Sequence, residues 1–499
     1  MGVPSLIPSL GLREADLTPL ALGGLGDGYN SYAHAMCVWG DDLYVGVSRC
    51  VFQALALHAH SSNWSTVEHW PVAAPKTGLD GLYTELDRRG QIWAYNFREK
   101  KWRQIFLSPA HRGESGELIP REFGYRCAVL HRWCTGLSDE SLYITATATG
   151  RSDGARILRI DQSGSIETFG SPGLAGLPIT SVRSLVSFKG ALYAAPSGSR
   201  GSRSNSCDFP FVFRCESADG LTWKPVCLEG FGDKANVTIF TLYAGADYLY
   251  AGTMNHEGCQ IWRTTGESNG DLCVWECLVR NGAGRGSLNQ TVACMEEFNG
   301  ALYVGTGIQN GGYDIANKIG PAAGEVFRIL RSGKVEVVVG SGRLNKGLTR
   351  QSSLSGLGPG FGNPLNGYIW SMCSHLGWLY AGTCNIGVML EYVRLGSVGV
   401  KARRLLGRVG IHNIVENQAG AELWRTRDGE NWVPVVTGGL SNKYNLGIRN
   451  LISHDLGLIV GTANPFGPTI FSRRSLEGDW VEAENRRGGF EVYCGNRSA

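Results

Sequence analysis

The 499 residues carry 47 Lys and Arg against 44 Asp and Glu, a net charge of +3 with no long basic run to track a phosphate backbone, so nucleic acid is not an expected partner. With 70 Gly, 14 Trp, 18 Tyr and only 18% charged residues, the composition favours short strands and tight turns over helical bundles. No apolar run reaches transmembrane length and the leading MGVPSLIPSLGLREADL lacks a signal-peptide pattern, so a soluble, cytoplasmic protein with no membrane partner is expected.

Read in chain order, one unit recurs. An apolar strand and a tight turn lead into Leu-Tyr-x-Gly or a variant of it, as at Leu43-Tyr44-Val45-Gly46, Leu142-Tyr143-Ile144-Thr145 and Leu192-Tyr193-Ala194-Ala195. The pattern continues at Leu249-Tyr250-Ala251-Gly252, Leu302-Tyr303-Val304-Gly305 and Leu379-Tyr380-Ala381-Gly382, and ends in the degenerate Leu458-Ile459-Val460-Gly461. A third strand follows each copy (QIWAYNF, ARILRI, FVFRC, QIWRTT, EVFRIL, ELWRTR, TIFSRR), then a fourth such as WRQIF or WVPVV. Four antiparallel strands per unit predict an all-β, seven-bladed β-propeller, because one blade cannot bury both its faces alone. The expected blades are 30–106, 125–171, 180–228, 236–280, 288–341, 366–437 and 446–487, within a single domain spanning 1–499. The run after Trp480 is left open, either completing the last blade or folding back across it.

The 14 cysteines fall mostly inside strand-like segments and form no CxxC pair, which points to buried free thiols and to no metal-ligand set. No cofactor is identified, and a structural divalent ion in the axial channel is left open.

Three turns between third and fourth strands, Ser217 to Trp223, Thr426 to Trp432 and more loosely Thr264 to Trp275, resemble the Asp-box of bacterial neuraminidases. The resemblance implies a structural Asp that caps its own turn, not a catalytic one. The GxLYxGT and ELWRTxDGxxW repeats also resemble those of the propeller enzymes typified by the cylindrocyclophane alkylating enzyme. That likeness implies a small-molecule transferase of specialised metabolism that forms a bond to an aromatic substrate. The chain has no Asp- and Gly-rich calcium nonapeptide repeat, and no residue role is carried over.

If the strand before each Leu-Tyr is innermost, its tight turn lies on one face of the disc and the long segments 47–90, 195–210, 306–323 and 384–420 lie on the other, with the crossings 107–124 and 342–365. The inner strands open onto that elaborated face. There Arg126, Tyr368 and His34 are the expected catalytic groups, and Arg183, Arg449, Trp370, Asn366, Asn445, Tyr32 and Phe240 the expected substrate-binding ones. Guanidinium groups recognise anions, and aromatic rings supply surfaces for flat ligands. His131, His375 and His454 fall toward the plain face and are expected to be structural.

The expected function is an enzyme on a small aromatic or anionic substrate, with alkylation or related bond formation first. The alternatives are a glycan-processing propeller, sialidase-like or a polysaccharide lyase, and a non-catalytic ligand-binding or scaffold propeller. A small molecule is the expected partner and any protein partner is unknown.

Overall fold

The computed structural model describes residues 10–58, 66–133, 140–199, 205–344, 350–397, 399–473 and 478–497. The segments 47–90, 195–210, 342–365 and 384–420 therefore fall partly outside the described residues.

The fold is mostly β and is built from four-stranded antiparallel sheets in sequence order, the arrangement of a β-propeller. In the first sheet, Asn30–Trp39, Asp42–Arg49, Gln91–Asn96 and Lys101–Leu107 pair successively. The later inner strands are Gly124–His131, Val182–Phe188, Asn236–Ala244, Thr291–Phe298, Asn366–His375 and Gly447–His454. Each packs against the next, and Gly447–His454 packs back against Asn30–Trp39. What returns on itself is this packing of inner strands. The neighbouring sheets touch edge to edge only through single bridges such as Tyr32 with Ala463 and Gly307 with Tyr368.

The last sheet departs from expectation. The expected third strand, Thr469–Ser472, pairs instead with Val481–Glu484 as a separate hairpin. Its place beside Gly457–Ala463 is taken by Val492–Gly495, and the fourth strand is Leu17–Ala21 from the other end of the chain. Blade boundaries of 446–487 are thus corrected to a sheet drawn from both chain ends. Periodicity identified TIFSRR as a strand, but partner choice depends on which strand reaches the open edge first.

The glycine of Leu-Tyr-x-Gly has a packing cause. A Cβ at Gly252 would lie 2.5 Å from Val292, one at Gly382 would lie 2.6 Å from Ile448, and one at Gly46 would lie 2.7 Å from Tyr125. In each case the neighbour belongs to the next inner strand, so the missing side chain sets how closely consecutive sheets approach.

A second repeat, not singled out in the sequence, precedes several inner strands: Gly24-Leu25-Gly26-Asp27, Gly230-Phe231-Gly232-Asp233, Gly360-Phe361-Gly362-Asn363 and Gly439-Leu440-Ser441-Asn442, each followed three residues later by Asn. The first two residues take left-handed backbone, with Phe231 at φ 56° and Phe361 at φ 59°. That conformation disfavours a side chain, and packing offsets it: Phe231 stacks on Trp262 at 4.8 Å and Phe361 on Trp424 at 4.7 Å. The Asn then ties turn to sheet. Asn366 Nδ2 donates to Gly360 O and to Glu422 Oε2, both at 2.9 Å. Asn445 makes the same pair of bonds to Gly439 O and Glu491 at 2.9 and 2.6 Å. Asn30, Asn236 and Asn289 repeat the pattern with Gln91, Gln260 and Glu325.

In two of the three box-like turns, among the described residues, the Asp caps its own turn. Asp219 accepts the Leu221 N–H at 2.9 Å, and Asp428 accepts those of Glu430 and Asn431 at 2.8 and 2.7 Å. These carboxylates spend their lone pairs on their own loops.

Removing the Asn366 side chain strips two buried acceptors of a donor at once. Asn366→Ala is expected to cost about 2–4 kcal/mol of stability, read as a lower denaturant midpoint. An unchanged midpoint would contradict the structural role.

Candidate functional site

Every inner strand carries one extra residue at the same register point. The pairing skips His34, Arg126, Arg183, Phe240, Ala293, Trp370 and Arg449. A β-bulge turns the skipped residue out of the regular alternation and re-aims its side chain. It also leaves a carbonyl without its ladder partner, and the neighbouring strand satisfies it. Thr241 Oγ1 donates to Val292 O at 2.8 Å, Ser371 Oγ to Ile448 O at 2.8 Å and Asn450 Nδ2 to Ala33 O at 2.6 Å. Cys294 Sγ makes the same reach to Ile369 O at 3.3 Å.

The skipped side chains converge. Arg449 Nη2 lies 2.9 Å from His34 Nε2, and the Arg449 guanidinium carbon is 5.2 Å from the Trp370 ring centre. That of Arg183 lies 3.4 Å over Phe240. Tyr32 meets His34 and Trp370 edge-on, at 5.6 and 6.2 Å, and Tyr368 stacks on Trp370 at 6.0 Å. Arg183 and Tyr368, on strands far apart in the chain, are close enough for the arginine's charge to act on the phenol. Eight of the ten residues expected at the mouth thus come together. Asn366 and Asn445 do not: both are fully buried in the turn-to-sheet ties, with their amide groups committed there.

No residue of the fifth inner strand is among those expected at the mouth. The register assigns Ala293 there, missed because a methyl group advertises no chemistry. Counting back from the signature tyrosine finds it, since Tyr303 stands to Ala293 as Tyr44 does to His34 and Tyr380 to Trp370.

The electrostatics are lopsided. Among the described residues, no carboxylate lies within ion-pair distance of Arg126, Arg183 or Arg449. The buried Nε of Arg449 has no hydrogen-bond partner. Desolvation, then the Arg449 charge, pulls the Arg126 pKa down to about 10. Desolvation, then Arg126 and Arg449, holds that of Arg183 well below its usual value. All three are half-buried. Three cations there would repel a divalent metal, so the axial ion left open from the sequence is disfavoured at this level.

His34 is not a free base. Arginine only donates, so Nε2 is the acceptor and the proton sits on Nδ1, which donates to Ser48 Oγ at 2.9 Å. Desolvation, then the Arg449, Arg126 and Arg183 charges, keeps the ring neutral well below pH 6.5. Burial likewise raises the pKa of Tyr32 and Tyr368, leaving both phenols protonated.

Other clefts gather paired charge. The 930 Å³ one beside Tyr444 is lined by Lys443, Arg486 and Arg487, which pair with glutamates. Glu391, His412 and Glu416 are grouped as metal ligands would be, but Lys443 Nζ already lies 3.1 and 3.0 Å from the two carboxylates. His131 and His375 bond Ser187 and Ser453 at 2.8 and 2.9 Å, in structural roles.

No family pattern and no curated protein matches the sequence. Among solved structures the chain is similar to a GH74 xyloglucanase from Xanthomonas campestris, at 12% identity and TM-score 0.44, covering 95% of this chain and 55% of that one. A Mycobacterium tuberculosis puromycin-hydrolyzing peptidase gives 11%, 0.40, 96% and 56%. The β-propeller domain of the Trilobed protease from Pyrococcus furiosus gives 8%, 0.38, 91% and 95%. The chain spans about half the length of the first two. No helix among the described residues is long and apolar enough to cross a membrane.

Two outcomes follow from these charges. Arg126→Met removes an unpaired interior cation and is expected to raise stability by about 1–3 kcal/mol in denaturant unfolding; a loss would mean that an unseen partner pays for the charge. The depressed folded-state pKa of His34 means that, below about pH 6.5, the unfolded chain takes up a proton the folded one refuses. Stability therefore falls on acidification through that range, and His34→Gln should flatten the fall, with His131 and His375 supplying the remainder.

Proposed function

We propose that the chain is a single closed seven-bladed β-propeller that takes a small organic anion into its axial channel. The observation that carries this is the set of three interior arginines without carboxylates. An uncompensated buried charge costs several kcal/mol, and a bound anion with bidentate hydrogen bonds would offset it. The return of the inner-strand packing from Gly447–His454 to Asn30–Trp39, and the N-terminal strand completing the last sheet, support closure and the count of seven.

Binding is the better supported half of the sequence expectation. Alkylation, glycosidic cleavage and lyase chemistry each need a base or nucleophile, whereas His34 has its lone pair engaged and Tyr32 and Tyr368 are held as neutral phenols. A scaffold propeller gives no reason for the arginines. Should a bound ligand develop negative charge in a reaction, the same guanidiniums would stabilise it.

The test is thermal unfolding with acetate, sulfate and phosphate titrated in at constant ionic strength. A saturable rise of roughly 2–3 °C is expected at 100-fold excess over Kd, and it should be lost in Arg449→Ala. No shift with any anion, or an equal one in the variant, would overturn the proposal.

A further inference from the structure

Between Glu391 and Glu416 the chain carries Arg394, Lys401, Arg403, Arg404 and Arg408 and no Asp or Glu, although the whole sequence is nearly balanced at +3. This stretch belongs to the insertion between two strands of the sixth sheet, Trp378–Asn385 and Leu423–Thr426. Both ends of the insertion are anchored. Val388, Met389 and Tyr392 on one side, and Val415 and Ala419 on the other, are buried in one apolar cluster with Phe52 and Trp70.

The helix Val400–Val409 between those anchors is not buried. Val400, Arg403, Arg404, Gly407 and Arg408 are all exposed, and their spacing of i, i+3, i+4, i+7 and i+8 makes them one continuous face. Val400 is 60% exposed on that face. The nearest acids in sequence, Glu391 and Glu416, are held by Lys443 at 3.1 and 3.0 Å. Among the described residues no carboxylate lies within ion-pair distance of Arg394, Arg404 or Arg408. A helix of 10 residues is marginal in water by itself, and like charges four apart weaken it further. The insertion thus holds out a basic face about 15 Å long that no part of the described fold neutralises.

We propose that the helix Val400–Val409 is a docking surface for an anionic lipid bilayer. It lies in the plane of the membrane with its arginines among the headgroups and Val400 at the acyl boundary. An apolar side chain in the middle of the basic face favours a bilayer over nucleic acid, whose phosphate backbone gives valine nothing to be buried in. The expectation of no membrane partner rests on the lack of a spanning segment, and a helix lying on the surface needs none. The proposal is independent of the arginines on the inner strands.

Sedimentation of the full chain with lipid vesicles at low ionic strength tests it. Binding is expected to vesicles of phosphatidylcholine mixed with phosphatidylserine and not to phosphatidylcholine alone, and added salt should reverse it. Each basic residue near such a surface is worth about fivefold in partition, so Arg404→Gln with Arg408→Gln should weaken binding at least tenfold. Arg404→Lys with Arg408→Lys keeps the charge and should bind as the unsubstituted chain does. Val400→Ser leaves the charge alone and should weaken binding about threefold. These side chains are exposed, so each variant should keep the unsubstituted denaturant midpoint. Equal binding to both kinds of vesicle, undiminished binding by the glutamine variant, or displacement from the vesicles by duplex DNA at equal phosphate concentration would overturn the proposal.

Discussion

The architecture depends on how consecutive inner strands are stitched together at their bulges. A donor just after one bulge, such as Thr241, Cys294, Ser371 or Asn450, reaches the carbonyl just before the next, at Val292, Ile369, Ile448 or Ala33. Each bond repairs the ladder bond that a bulge breaks and fixes the stagger of two sheets together. A backbone acceptor left unpaired in that interior would cost about 1–3 kcal/mol. The repeated bond therefore explains why the irregularity persists in strand after strand.

Close approach makes the stitch possible. The glycine of Leu-Tyr-x-Gly lets the second strand of one sheet lie against the residue before the next bulge, with no room for a Cβ. At or just before the start of five inner strands, Asn30, Asn236, Asn289, Asn366 and Asn445 tie a left-handed turn to the start of the third strand. Between these two fixed points the skipped residue has little freedom. Its identity varies among His, Arg, Phe, Ala and Trp without disturbing the frame, which is how one scaffold position can be given over to chemistry.

Charge on that wall is a stability cost the frame tolerates. Burial lowers the pKa values of all three arginines, with Arg449 adding to the effect on Arg126, and Arg126 and Arg449 to that on Arg183. Burial and then the three charges keep His34 neutral, while ion pairs elsewhere in the molecule, such as Arg343 with Glu325, are closed within the sheets. The contrast separates an arginine paired with a carboxylate inside the frame from one that has none at the bulge positions. It also explains why His34, the expected base, acts instead as an acceptor that orients Arg449.

Repetition was legible in the sequence. The Leu-Tyr-x-Gly series, the strands around it and the capped Asp turns need only local alternation and turn chemistry, so they could be read without coordinates, as could the convergence of Arg126, Arg183, Arg449, His34 and the aromatics. Three features were decided only by tertiary structure. Leu17–Ala21 and Val492–Gly495 compete with Thr469–Ser472 for the last sheet's edge, a choice between distant segments that no local pattern encodes. Asn366 and Asn445 looked like ligand groups because their partners Glu422 and Glu491 lie far along the chain. The place of Ala293 at the bulge became visible only through the register, since the strand whose pairing skips it is a separate segment of the chain.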